Sequence, residues 1–262
     1  MSWFQCSSTR LKLTVACRYY IGITNCCAIT GYGSDSNPIY NAIKQSRAGE
    51  QQDQLMSGSE MDEAVAKDLA TALTFANKTH DVILRRFGDP NILTYVHTVL
   101  VFVHHATFYP EAMEHLAPSF PWKLMSMMLN TLLSSYQSFS RIENERFPQP
   151  EKDDPPRPLP EDYAMRGLLW ADRYYPSGWF TNDKIEDDEK GLEAASMGEE
   201  RKIRVLYLGC RIARDNKWLR YDNETHQFSV SPEFDIEIEP IPVSTAESID
   251  FEELPDALSS QQ

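Results

Sequence analysis

Between residues 59 and 139 the apolar positions recur every three to four residues, the spacing that lays one face of an α-helix against a core. Val65, Leu69, Ala72, Leu73, Ala76, Val82, Ile83 and Phe87 make most of one such stripe, opened by Ser59-Glu60-Met61-Asp62, which has the form of an acidic capping box. Gly88 stops the stripe. Asp89-Pro90 restarts the chain with a cap residue and a proline at the first helical position. Helices are therefore predicted over residues 61–87 and 90–108. The second is apolar on every side, through Ile92, Leu93, Tyr95, Val96, Val99, Leu100, Val101, Phe102 and Val103, which marks a helix buried among others. Its β-branched run 99–103 also suits a strand, but its length and the prolines at 90 and 110 favour a helix. Residues 111–117 form a short amphipathic piece. Ser119-Phe120-Pro121 opens a third main helix bearing Trp122, Leu124, Met125, Met128, Leu129, Leu132, Leu133, Tyr136 and Phe139.

The pattern breaks at 147–160, where six prolines in fourteen residues exclude helix and sheet and predict an extended linker. Pro155-Pro156-Arg157-Pro158 also has the make-up of an SH3-type ligand. Pro160-Glu161-Asp162 starts a helix with two acids in its positive first turn, expected to run to Tyr175-Pro176. Residues 181–198 read as an acidic surface loop. Residues 199–220 carry two opposed apolar faces, one with Ile203, Leu206, Tyr207 and Cys210, the other with Val205, Leu208, Ile212 and Leu219, as in a helix sandwiched between others. Tyr221 to Phe228 has hairpin-like turn chemistry. Residues 229–262 lack sustained periodicity and read as a disordered acidic tail, and residues 1–58 form a poorly patterned N-terminal segment. The fold class is all-α.

Charge changes this picture in one respect. The net charge of −14 argues against phosphate binding, yet eleven acids and no Lys or Arg follow Arg220, and residues 181–200 hold eight acids against two lysines. The remaining body is near +3, a balance that permits contact with a nucleic-acid backbone without advertising it. The five cysteines, Cys6, Cys17, Cys26, Cys27 and Cys210, are odd in number and form no CxxC, which suits reduced thiols in cytoplasm or nucleus. Arg10, Lys12 and Arg18 interrupt the only stretch resembling a signal peptide, and no apolar run reaches the ~18 residues of a membrane span.

Candidate chemistry is sparse. GxSxG, GxxxxGK[ST], HExxH and GxGxxG are absent, so neither catalytic residues nor a cofactor nor a small-molecule substrate is assigned. His97 and His104 stand seven apart, roughly 10 Å along a helix, too far to share a metal, and no metal site is assigned. Arginines and aromatics remain. Arg166 and Arg173 are seven apart on the predicted 161–175 helix, beside Trp170 and Tyr174, and the same spacing recurs at Arg204 and Arg211. Arginines paired in this way beside aromatic rings suit single-stranded nucleic acid, by phosphate contact and base stacking. The competing reading is that they pack and pair with Glu161, Asp162, Asp172, Glu199 and Asp215.

Three ordered blocks carry a family resemblance. "LPEDYAMRGLLWADRYYPSGWF" resembles a signature of the fungal branch of the Ever-shorter-telomeres (Est-one) type DNA/RNA-binding domain, a family that includes the SMG adaptors of nonsense-mediated mRNA decay. "FGDPNILTYVHTVLVFVHHATFYPEAMEHLAPSFPWKLMSMMLNTLLSSY" resembles its preceding helices and "RKIRVLYLGCRIARDNKWLRYDNETHQF" its closing one. The match spans about residues 85–228, within a helical domain drawn at 59–228. The resemblance implies stacked helical hairpins in an α–α superhelix-like array. It implies a non-enzymatic ribonucleoprotein adaptor in telomere maintenance and telomerase regulation or in mRNA decay, nuclear or cytoplasmic, with protein partners. The upstream phosphopeptide-docking module of the family is not found in residues 1–60, so phosphopeptide binding is not carried over. The alternative is a protein-interaction scaffold with no nucleic-acid affinity.

Overall fold

A computed structural model describes residues 18–47, 62–149, 157–181 and 195–238. The helical stretch 18–29 (α1) is followed by α2 (Pro38–Arg47), α3 (Glu63–Leu84), α4 (Leu93–Ala106), α5 (Pro110–Leu116), α6 (Trp122–Leu133), α7 (Phe139–Glu143), α8 (Pro160–Met165) and α9 (Ala195–Ile212). One antiparallel hairpin follows, β1 (Leu219–Asp222) with β2 (Gln227–Val230), in which Tyr221 faces Phe228. The protein is mainly α-helical. The Ser59–Met61 part of the expected capping box, most of the proline-rich linker, most of the acidic loop and residues 239–262 lie outside the described residues.

The all-round apolar helix sits at the centre. Every residue of α4 except His104 is buried, and its chief neighbour is α9. The two apolar faces of α9 are accounted for by α4 on one side and by α6, α7 and β1 on others. Gly209 lets α9 approach closely: a Cβ there would lie 2.9 Å from Leu129 Cδ1 and 3.0 Å from Phe228 Cζ. The side chain of Asn130 locks α6 to the hairpin, donating to Phe228 O and accepting from Phe228 N, both at 2.8 Å. It thereby supplies the two ladder bonds that a further strand would supply.

Helix ends follow local chemistry. Asp62 caps α3 by accepting from Ala64 N. Gly88, at φ +79, turns the chain, and Asp89 accepts from Asn91 N with Pro90 behind it, as expected. Three expected boundaries are corrected. The third main helix ends at Leu133, and Phe139 belongs to a separate helix, α7. The hydroxyls of Thr131, Ser134 and Ser135 bond back to helical carbonyls and so compete with continuation. The helix starting at Pro160 runs only to Met165, because Arg166 is extended and Gly167 adopts φ +84, a left-handed conformation that glycine accepts at little cost. The last helix ends at Ile212, followed by a tight turn to Asn216, and Leu219 and Arg220 lie in β1.

The unpatterned segments also carry structure. Tyr19, Gly22, Asn25, Cys26 and Ile29 form the buried face of α1, and Ile39 and Ile43 that of α2, which packs on α5. Beyond β2, Phe234 and Ile238 pack against the core. The packed body thus reaches past both edges of the helical domain drawn from sequence.

Candidate functional site

The densest ionisable chemistry lies inside the protein, where α4, α8 and α9 meet. Pro160 places Glu161 and Asp162 in the first turn of α8, and both are fully buried. Arg201 and Arg204 project from α9 in phase with Val205, Leu208 and Ile212, so the apolar face of that helix carries the charges inward. Arg201 forks onto Glu161, Nε to Oε1 at 2.5 Å and Nη2 to Oε2 at 3.0 Å, the bidentate geometry that makes an arginine–carboxylate pair strong. His97, on α4, links Glu161 Oε1 at 3.0 Å to the Tyr174 hydroxyl at 2.9 Å. Burial pushes the Glu161 carboxyl upward, but the Arg201 charge and the His97 hydrogen bond outweigh it and hold the group down at about 2. An ionised carboxylate only accepts, so His97 Nδ1 bears a proton toward it.

A second set of contacts surrounds Asp162. It accepts from Leu159 N at 2.9 Å, the back-bond of a capping box, from the Tyr175 hydroxyl at 3.1 Å and from Trp179 Nε1 at 3.3 Å. Arg204 Nη1 lies 3.9 Å from Asp162, and Arg204 Nε donates to Glu200 at 3.0 Å. The Arg204 guanidinium is packed against the rings of Phe147, 4.0 Å away, and Trp179, 4.7 Å away. Burial opposes the Arg204 charge, but Tyr174, Asp162 and Glu200 reverse that and hold it protonated. Desolvation drives the Tyr174 and Tyr175 phenols upward, so both stay neutral donors. The arrangement neutralises charge between elements far apart in sequence, and each acid answers to an arginine of α9.

The six residues singled out for nucleic-acid contact separate accordingly. Trp170, Tyr174 and Arg204 are interior side chains: Trp170 stands edge-on to Phe102, Tyr174 bonds His97, and Arg204 is fully buried. Base stacking or phosphate contact by these three would require the fold to open. Arg166 and Arg173 are exposed, but the end of α8 at Met165 removes the shared helical strip that paired them. Arg166 lies over Phe180, 5.2 Å from the ring centre. Arg211 is half-buried, donates to Glu143 O at 3.0 Å and lines a mixed-charge cleft of about 280 Å³ with Glu145, Arg214 and Tyr221. The competing ion-pair reading finds its partner for Arg204 in Asp162. Arg201, Glu161 and His97 were not singled out as a group, although arginines occurring in phase with an apolar stripe are the signal that would have found them.

The other histidines are individually placed. His80 is buried and bonds Tyr95 at 2.6 Å, and burial lowers it to about 3. His104 is lowered to about 4 by burial and by Arg211. His226 stacks on Phe139 and contacts Glu143 at 2.9 Å. Among the described residues no three His, Cys, Asp or Glu side chains gather as a metal site, and no helix is long and apolar enough to cross a membrane. Comparison with protein-family models, curated proteins and solved structures yields no match to this chain.

Proposed function

We propose that this protein is a non-enzymatic α-helical adaptor that works by presenting protein-binding surface, within ribonucleoprotein assemblies of telomere maintenance or nonsense-mediated mRNA decay. The pathway, and a stacked-hairpin α–α array as its architecture, rest on the resemblance of residues 85–228 to the Est-one type domain. The observation that carries the scaffold role is the contrast between inside and outside. Glu161, Asp162, Trp170, Tyr174 and Trp179 of the 160–180 block face inward and contact other elements, while an open apolar groove of about 770 Å³ runs along the outside of α3. Direct nucleic-acid contact is the second reading, favoured by exposed Arg166 and Arg173 with Phe180 beneath Arg166.

Titration of labelled single-stranded RNA and DNA at about 50 and 200 mM salt separates the two. Phosphate contact predicts affinity falling steeply with salt and lost in R166A/R173A. The scaffold role predicts no binding at the lower salt, and association with native ribonucleoprotein that survives nuclease treatment. Association abolished by nuclease, with tight salt-dependent binding of the isolated chain, would overturn it.

A further inference from the structure

The outward strip of α3 reads as its own complement. Glu63, Lys67, Ala70, Thr74, Lys78, Asp81 and Arg85 lie within about 40° of Thr74 around the helix. Their spacing, four, three, four, four, three, four, is the same from either end, with Thr74 at its centre. The first five are exposed and the last two half-buried. Ala70, Thr74, Lys78 and Asp81 line the groove, and Lys67 and Glu63 continue the strip beyond its N-terminal end. Phe75 and Val82, 64% and 66% exposed, stand together on one flank of the strip.

Charge decides what fits this face. Laid antiparallel on a second copy, with a two-fold axis at Thr74, the strip sets Lys67 against Asp81, Glu63 against Arg85, and Lys78 against the small Ala70. A parallel pairing in register sets like charge against like at every charged position, which is unfavourable. Asp81 gives Oδ2 to Arg85 Nε at 2.9 Å and keeps 43% of its side chain exposed, whereas Arg85 is only 16% exposed. The contact that matters most is therefore Lys67 with Asp81, made twice across the axis. Within one chain these two stand fourteen residues apart, about 21 Å along the helix, and cannot meet. The axis also brings the two Phe75 rings to the same side, next to each other, so that each gains a cover its own chain leaves open. Thr74, facing itself, is small enough for close approach.

We propose that two copies of this chain associate through α3, antiparallel, with Thr74 on the two-fold axis. A contact about 33 Å long and about 12 Å wide covers roughly 400 Å² on each copy, the size of a weak, reversible interface. The pairing closes the groove to other partners and opens as the chain is diluted. It uses the groove of the adaptor reading but rests on the charge order of α3, so a monomeric chain refutes it and leaves the nuclease test of that reading intact.

Sedimentation equilibrium of the full chain is the test. The wild type should pass from about 5% dimer at about 1 µM to more than about 50% at about 200 µM. K67D and D81K each put like charges across the axis and should weaken the dimer about fivefold or more. K67D/D81K restores opposite charges only between chains and should return it to within about twofold of wild type. D81K also removes the bond to Arg85, so its far-UV circular dichroism is checked, and a second measurement is independent of it. The full chain with p-benzoylphenylalanine in place of Thr74 is irradiated as an equal mixture of heavy-isotope and unlabelled protein. The expected adducts join heavy to light chains, α3 to α3. A monomer at the highest concentration, a dimer indifferent to K67D, a folded double variant without rescue, or adducts that miss α3 of the second copy would each overturn the proposal. Should D81K lose helicity, K67D and the adducts decide.

Discussion

Replacing Glu161 by Gln keeps the shape of the side chain and removes its charge. Two routes give the cost. The carboxyl falls from 4.5 to about 2 on folding. At about 1.4 kcal/mol per pH unit, that is roughly 3 kcal/mol of stability at pH 7. Independently, breaking a buried ion pair by removing one partner costs about 3–5 kcal/mol, because the other charge remains inside. Arg201 is 3% exposed and has further contacts, so the lower figure applies. A loss of about 3 kcal/mol lowers the melting temperature by about 6–12 °C for a chain of this size. Urea denaturation of wild type and E161Q at several pH values is the assay. The sign follows from the depressed value: the contribution is complete above the unfolded value of 4.5 and is lost as pH falls toward 2. The gap between the two proteins should therefore be full at pH 7 and shrink by about 1.4 kcal/mol per unit below 4.5. A second variant isolates the pair. E161L/R201M should recover most of the loss, since apolar residues of similar volume replace a buried pair at little cost. A gap under about 1 kcal/mol at pH 7, or one that stays constant down to pH 3, would refute the assignment of Glu161 as a buried, ionised anchor.

N130A removes both bonds to Phe228 and should cost about 2 kcal/mol, with faster hydrogen exchange at the Phe228 amide as its local signature. G209V forces a side chain against Leu129 and Phe228 and should cost about 1–3 kcal/mol by overpacking, read by thermal denaturation. G167A, at a φ of +84 with open space around it, should cost about 1 kcal/mol from backbone conformation alone. His80 and His104 have folded values near 3 and 4, below the ordinary 6.5. Their ring proton resonances should therefore stay flat from pH 8 to 5, and the stability they influence should fall as pH drops below 6.5.

How much of this was legible in the sequence depends on which residues do the burying. Helices α4, α5 and α9 rest on Leu, Ile, Val, Phe and Met at helical spacing and were readable; α3 was readable as a helix, but its buried face is Leu69, Ala76, His80 and Leu84, and Val82 and Phe87 of the expected stripe are exposed. The buried face of α1 is made from Tyr19, Gly22, Asn25, Cys26 and Ile29, while Tyr20 and Ile21 point outward, so hydropathy obscures its phase. A helix as short as α8 has too few turns for periodicity to assign a face. Glu161 and Asp162 therefore read as ordinary first-turn acids favoured by the helix dipole, although they are also fully buried anchors. Gly167 was visible in the sequence, but its positive φ is what ends the helix and separates Arg166 from Arg173.

The placement of α4 sets a difficulty during synthesis. Its main cover, α9, begins about ninety residues later. At about 5–20 residues per second, a ribosome leaves that largely apolar helix without its neighbour for roughly 5–20 s. Nascent chains stalled before Ala195 should therefore recruit hydrophobic-surface chaperones strongly, and release them once Ile212 has cleared the exit tunnel.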